Sequence, residues 1–475
     1  MATNVWQGGA AAIAQVDKFT PANVEVLDIF TLTINGKSVS VTATAATVAN
    51  VTGLMTAAFN ASTEPEFAEI TAADATTYMT LTSDTAGVPF TATSSTTDGN
   101  GVDTQTFART VGTANSGPND ALVNSNWSTA DVPGADAVVF EDSTVSCLYN
   151  LDQLGTTAGT PILTSLTVKS TFTGYIGLPR NNAHGYVEYR PTALDLGTAV
   201  TAINVGEGDG SGSGRINLEV GNRTTALTIN VSKTASRVVT GIPSLLLTTG
   251  TQSNTTTLTV NRGDVGVAFH AGETAVIDTL KMGYISQRSS DAKVACGSGV
   301  TLTTVTKGGG VFVCDANITT LTQTEGTTTI RGSATLTTGT LNGGTLYYTS
   351  SGTLTTVYIA GGAVLDFRQD SRSRTVSAVT LYQGGTLLDP AQTVTFSNGI
   401  AISYCGLADI TLDLGDGKTI LLDRSPSSTP SSTPSHTSSP SHTSSPSHTV
   451  SSTPSHTPSH TVSSSPSNTP SHSAS

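Results

Sequence analysis

Between Val300 and Asp366 the chain repeats itself every eighteen residues. Gly308, Gly326, Gly344 and Gly362 fall on that period, and so do the apolar positions Val300, Ile318, Leu336 and Leu354. The phrases are near copies: Thr-Leu-Thr-Thr-Val-Thr-Lys-Gly-Gly from Thr301, Ile-Thr-Thr-Leu-Thr-Gln-Thr-Glu-Gly from Ile318, and two more beginning at Leu336 and Leu354. A unit this short cannot bury an apolar face alone and must stack on its neighbours. Eighteen residues hold two or three short strands with tight turns. Thr, Val, Ile and Tyr suit a pleated surface, and recurrent Gly supplies turns with positive φ. The reading is a parallel β-helix, a β-solenoid of about eighteen residues per coil. Leu336, Leu341 and Leu346 lie five apart, which predicts short strands meeting at bends that reset which side points inward. Stacking equivalent positions at about 4.8 Å predicts one ladder of Phe312, Ile330 and Tyr348, broken at Asp366. Architecture of this kind hosts scaffolds, adhesins and enzymes alike, so it leaves function open.

Cys296 and Cys314 stand one period apart and should stack in successive coils. In-register side chains on parallel strands point the same way, which disfavours bridge geometry, so they read as a buried thiol pair rather than a disulfide. Cys147 and Cys405 have no local partner, and no Cys/His spacing indicates zinc or redox chemistry. Neither a metal nor a cofactor is expected.

Only 12% of the 475 residues are charged and 5% aromatic, a composition typical of extracellular or virion β-proteins. A net charge of −13, with no Lys/Arg cluster interleaved with aromatics, argues against nucleic acid as a partner. No apolar run reaches the length of a membrane span. The opening Met-Ala-Thr-Asn-Val-Trp-Gln-Gly-Gly lacks a basic stretch followed by an apolar one, an expectation against Sec export and in favour of release by lysis.

The domain reading is an N-terminal arm over residues 1–16, a small α+β attachment domain over 17–110, a linker over 111–118, the β-helix over 119–424 and a low-complexity tail over 425–475. In the α+β part, Val24 to Ile34 and Lys37 to Ala43 flank Asn35-Gly36, a strong hairpin signal. A helix follows from about Ala46 to Asn60, with Val48, Val51, Met55, Ala58 and Phe59 on one stripe. Further strands are expected around 68–72, 78–83 and 89–93. Within 119–424, strands are expected at Leu163–Val168, Leu194–Val205, Ile216–Val220, Leu227–Val231, Leu245–Thr249 and Leu258–Val260. The tail repeats Ser-Pro-Ser-His-Thr without any Asp, Glu, Lys or Arg. Such a segment cannot bury a core and reads as a disordered, polyproline-leaning spacer, able to reach on the order of 150 Å at about 3.1 Å per residue. Its histidines, His436 to His472, are scattered too widely for a preformed metal site.

Phe30-Thr-Leu-Thr-Ile-Asn-Gly-Lys-Ser-Val-Ser-Val-Thr-Ala, the Ala-rich helix, and Leu81-Thr-Ser-Asp-Thr-Ala-Gly-Val-Pro-Phe-Thr-Ala together resemble small modules of phage tail and other virion proteins. The resemblance covers about a fifth of the chain. Asn124-Ser-Asn-Trp-Ser-Thr-Ala-Asp-Val-Pro-Gly-Ala-Asp-Ala-Val-Val-Phe is similar to a phrase that opens coils in autotransporter-like β-helix passengers. Trp127 there reads as a structural cap over the open end of the first coil, which would otherwise be an adhesive sheet edge.

Two polar segments are candidate sites. Asp366, Arg368, Asp370, Arg372 and Arg374 lie where the double glycine moves from 361–362 to 384–385, five residues more than the period. An insertion there should loop off the stack, where carboxylates beside arginines could serve a depolymerising enzyme or a subunit contact. Arg180, His184, Glu188 and Arg190 crowd into Leu178–Pro191 and read as a subunit or ligand contact. Gly206–Arg215 lacks the phosphate-loop and calcium-loop spacings and reads as a turn between coils. The resemblances imply a non-enzymatic virion structural protein of a tailed phage: a fibre, spike or head-decoration protein. Its partners would be other virion proteins and a host-surface glycan or receptor, with no membrane insertion, and it would be a homo-oligomer of the trimeric kind such fibres form. The alternatives are a cell-surface adhesin or autotransporter-like passenger and, behind it, a polysaccharide-degrading enzyme.

Overall fold

Strand pairing carries the architecture. The computed structural model describes residues 3–99, 101, 104–154, 163–283, 291–403 and 408–417. Among them, alternate strands of the chain join two parallel sheets, one of fourteen strands and one of eleven. The first runs from Thr3–Val5 through Ala137–Phe140, Ser165–Lys169 and Ala202–Glu207 to Val394–Phe396 and Ile400–Ser403. The second runs from Leu194–Asp195 to Thr411–Asp413. From Leu194 onward coils contribute strands to the two sheets in turn, so the chain is a parallel β-solenoid. Its interior is one continuous apolar cluster from Trp6 to Val394.

The larger sheet is creased. Leu302 pairs with Ile318 and Thr304 with Thr320, but the intervening Thr303 and Thr319 drop out of the ladder, and the same gap recurs at Thr337 and Thr355. A skipped residue reverses the alternation of faces, so Leu336, Gly339 and Leu341 are all buried although three and then two residues apart. The bend read between Leu336 and Leu341 is such a crease, whereas Leu341 to Leu346 spans the Gly343–Gly344 turn between the two sheets.

The register differs from the sequence reading. Phe312 stacks on Thr328 and then Leu346, whereas Ile330 and Tyr348 stack on Cys314. Val300 pairs with Ala275, and it is Leu302 that begins the Ile318–Leu336–Leu354 ladder. The cause is one short turn. Strand Val311–Cys314 is followed at once by Ile318, whereas Thr327–Ile330 is followed by Leu336 and Thr345–Tyr348 by Leu354. The missing two residues shift everything before that turn, so the stacked glycines are Gly310, Gly326 and Gly344, with φ of 74°, 75° and 69°. A Cβ on Gly326 would lie 2.3 Å from Gly310 O, and one on Gly344 would lie 2.2 Å from Gly326 O. Asp366 does not end this region: it pairs with Tyr347, and Phe367 continues the aromatic contact at 6.2 Å from Tyr348. Cys296 and Cys314 are in register and buried as free thiols; Cys405 and the 425–475 tail lie outside the described residues.

One rung of the interior is polar. Lys307 stacks between Met282 and Gln323, almost wholly buried, with its Nζ donating to Glu325 O at 2.8 Å. Burial brings this amine down to about 7. Gln323 donates to Gly343 O at 3.1 Å and accepts from Thr328 Oγ1 at 2.5 Å.

The α+β module has the hairpin and helix expected, with shifted edges, and two strands that the sequence reading did not place, Val16–Ala22 and Thr106–Thr113. Ile29–Ile34 and Lys37–Thr42 form a hairpin through Asn35 and Gly36, at φ of 50° and 73°, the conformation that a two-residue turn between twisted strands demands. Thr47 caps helix Val48–Asn60, accepting from Asn50 N at 3.3 Å, and Val51, Met55 and Phe59 face inward. Two antiparallel sheets enclose Phe19, Phe30, Leu32, Met79, Leu81 and Phe107.

Both proposed connectors are structure instead. The linker read over 111–118 begins inside strand Thr106–Thr113, which pairs along Val16–Ala22. The N-terminal arm is the first rung of the solenoid: Thr3, Asn4 and Val5 pair with Ala137, Val138 and Val139. The module is therefore an insertion within the first coil. A three-residue strand is too short to show periodicity, so nothing in the sequence marked it. Its outer edge is covered by the Trp127 segment. Ser128 N donates to Val5 O, Ser128 Oγ accepts from Val5 N, both at 2.9 Å, and Trp6 bridges Trp127 in antiparallel fashion. The two indoles, each 1% exposed, meet edge-on at 5.0 Å and donate to Val145 O and Ala121 O.

Candidate functional site

The 366–374 segment does not loop off the stack. Phe367 is buried between Tyr348 and Phe396, and Arg374 opens the next strand with its side chain sealed inside. That guanidinium donates to Tyr348 O, to Asp370 O at 2.8 Å and to Arg372 O at 2.9 Å, with Phe367 beneath it at 5.8 Å. Asp366 binds Arg368 through both carboxylate oxygens, the shortest contact being 2.8 Å. Asp370 binds Arg372 likewise, and Arg372 also reaches Thr349 O at 2.8 Å. Burial alone would raise Asp366, but the bonds from Arg368 outweigh it and hold the carboxyl below its usual range. Arg372 holds Asp370 down at about 2. A general acid needs the opposite shift. Each carboxylate is committed to the arginine two residues on. The segment leaves Arg368 and Arg372 exposed together with Gln369, Ser371 and Ser373.

The 178–191 segment does make a contact, but with its own chain. It folds as a small hairpin: Asn181 bridges Val187, Glu188 N donates to Arg180 O at 2.8 Å, and Gly185 turns at φ 95°. Arg190 grips Glu188 at 2.7 and 2.8 Å and reaches into the α+β module, to Glu69 at 3.3 Å and Pro89 O at 3.1 Å. Tyr186 donates to Glu69 at 2.8 Å, and His184 stands 3.6 Å from the same carboxylate. Burial raises Glu188, but bonds from Arg190 and Asn182 bring it below its usual range. Burial pushes Tyr189 up to about 12. Arg190 and Tyr186 thus dock the inserted module onto the coils, with Glu188 holding Arg190 in place, while His184 stays exposed beside Glu69. No sequence spacing reveals this, because Glu69 lies 117 residues before Tyr186.

Arg180 is different. Its side chain leaves the docking cluster and lines a cleft of about 380 Å³ with Arg215, Asn217, His270 and an apolar wall of Val238, Val239, Ile242, Pro243 and Leu246. Arg215 lies over the Tyr175 ring at 4.5 Å, and burial lowers its pKa. A wider cleft of about 610 Å³ shares Arg180, Asn217 and His270 and adds Glu219, Thr248 and Glu273. Glu219 is raised by burial and then by the charges of Asp195 and Glu273. The sequence reading missed Arg215, Asn217 and His270. The one signal was Gly206–Arg215, read as a turn, where Gly206, Gly208 and Gly212 do turn the chain at positive φ. Gly214 there admits the loop carrying Val238, since a Cβ on it would lie 2.9 Å from Val238 Cγ2.

Among the described residues, no group of three or more His, Cys, Asp or Glu could hold a metal ion, and no helix is long and apolar enough to cross a membrane. No family model, curated protein or solved structure matches this chain.

Proposed function

We propose that the chain is a non-enzymatic structural protein of a tailed-phage particle, a fibre, spike or head-decoration protein whose solenoid is the shaft. The observation that carries the reading is the unbroken parallel stack from Thr3 to Asp413. About a dozen rung steps at ~4.8 Å make a shaft of roughly 60 Å. The two charged segments with the best claim to catalysis or subunit contact are largely consumed in holding this body together. The resemblance of the α+β module to virion modules supplies the particle, and other virion proteins are its partners, with a homotrimer as the assembly. The firm docking of that module through Arg190 suits a part that transmits load from an attachment point to a shaft.

Mass spectrometry of purified particles tests this directly. The protein is expected among the virion components, and its absence there sinks the reading. A cell-surface adhesin is the second reading, favoured by the Asn-Trp-Ser phrase at the capped first coil. Recovery from the host envelope rather than from particles would establish it. Host polysaccharide should remain intact on incubation with the wild type. Depolymerisation that vanishes in the Asp366→Asn/Asp370→Asn double variant would restore the enzyme reading.

A further inference from the structure

The cleft beside the Arg180 hairpin has demands that the rest of the molecule leaves unmet. Arg180 and Arg215 both line it, and among the described ion pairs neither has a carboxylate partner. Two guanidiniums on one cleft repel each other, and Arg215, partly desolvated over Tyr175, has lost water without gaining an anion. Its Nε is buried without an acceptor. Asn217, in the same wall, is only 7% exposed. Its Nδ2 donates to Leu178 O at 2.9 Å and Thr192 O at 3.1 Å, which fixes the amide nitrogen on that side. The amide oxygen is then left buried and without a donor. Opposite these groups, Val238 and Val239 are 45% and 44% exposed, an apolar edge on an otherwise polar surface.

A ligand that answers the two guanidiniums and the valine edge carries a carboxylate and an apolar face. The floor of the cleft bears on the type of chain. Strand Ile216–Val220 is paired on both edges, with Leu194–Asp195 and with Leu245–Thr249. No free strand edge is offered there to an extended peptide, so recognition falls to side chains. The adjoining wider cleft presents Glu219, Thr248 and Glu273, acceptors for the hydroxyls of further units of the same ligand.

We propose that this cleft binds the carboxylate-bearing unit of an acidic saccharide, with Arg180 and Arg215 on the carboxylate and the Val238–Val239 edge against the sugar's CH face. A guanidinium pair suits a planar carboxylate because it offers charge and paired donors together. The proposal does not rest on the virion reading, since the same cleft would serve a protein of any surface. Asn217 is a positioning residue here, holding Leu178 and Thr192 around the cleft.

The test is a glycan array probed with the full chain, displaying uronate-terminated, sialate-terminated and neutral glycans together with acidic peptides. Calorimetric titration of the best acidic glycan follows. Saturable binding to acidic glycans is expected, weakened at least tenfold in Arg180→Ala. That variant removes an exposed side chain without a protein partner and should keep the wild-type melting midpoint. Arg331→Ala, which breaks the exposed pair with Asp315 in a later coil, should bind as the wild type does. No acidic glycan bound, equal binding of neutral glycans, or undiminished binding in an Arg180→Ala/Arg215→Gln variant would each overturn the proposal. Binding of acidic peptides in preference to acidic glycans would replace the saccharide with a peptide and overturn it equally.

Discussion

Residues 178–191 and 366–374 look alike in the sequence, each a run of arginines and carboxylates between solenoid strands, yet they serve opposite purposes. The later segment closes on itself. Asp366 takes Arg368, Asp370 takes Arg372, and Arg374 caps carbonyls of its own coil and of Tyr348 in the coil before. The earlier segment reaches outward, and its Arg190 and Tyr186 converge on Glu69 of a module inserted more than a hundred residues upstream. Charge spacing therefore does not say where a charge goes. What decides is whether the topology has brought another body opposite.

The largest expected effect tests the outward-reaching segment. Arg190→Met leaves Glu188 buried with its ion-pair partner gone, which should cost about 3–5 kcal/mol. Denaturant unfolding should then separate the module from the stack as an early transition. A single unshifted transition would mean that Arg190 does not couple them. Next comes Arg374→Met, which keeps the packing on Phe367 but strips the carbonyls of Tyr348, Asp370 and Arg372 of a donor. A loss of about 1–3 kcal/mol is expected, in one cooperative transition, because the damage stays within the stack.

Lys307 sharpens the contrast, as a buried amine with a carbonyl acceptor but no carboxylate partner. Its amine lies near 7 when folded and near 10.5 when unfolded. Between those values the unfolded chain holds the extra proton, so stability should rise with pH across this window. Lys307→Met should raise the melting midpoint at pH 7 by about 2 °C or more. The gain should shrink as the pH approaches 10.5. A pH-independent difference would show that the amine stays charged inside the coil. The smallest effect belongs to an exposed pair: Arg331→Ala, which parts Arg331 from Asp315, should leave the melting midpoint where it is.

Much of the fold was legible because burial writes itself into alternation. Ile216–Val220, Leu227–Val231 and Leu245–Thr249 are strands at the residues expected, since each places apolar side chains inward on a period of two. The Asn35–Gly36 hairpin was legible for a different reason, that few residues accept two successive positive φ values. Register was not legible. The short turn at 315–317 moves Phe312 away from Ile330 while leaving the glycine spacing looking intact. The candidate cleft was less legible still. Arg180 was picked out, but the Arg215–Asn217 stretch and His270 come from other coil segments, and only the stack brings them together with it.

The strand Thr3–Val5 has a consequence for how the molecule assembles. It is synthesised before the α+β module, yet its pairing partner Ala137–Phe140 comes after it. Closing that rung spans the whole insertion and carries the loop-closure entropy of the longest sequence separation between neighbouring rungs. Every later rung closes over a far shorter stretch, as Leu302 with Ile318 or Leu336 with Leu354. Folding of the module draws the ends of that long loop together, since Val16–Ala22 and Thr106–Thr113 are adjacent strands within it. The insertion thus acts as a clasp: once it has formed, the Trp6–Trp127 end can seal, and growth of the stack has a finished face from which to proceed.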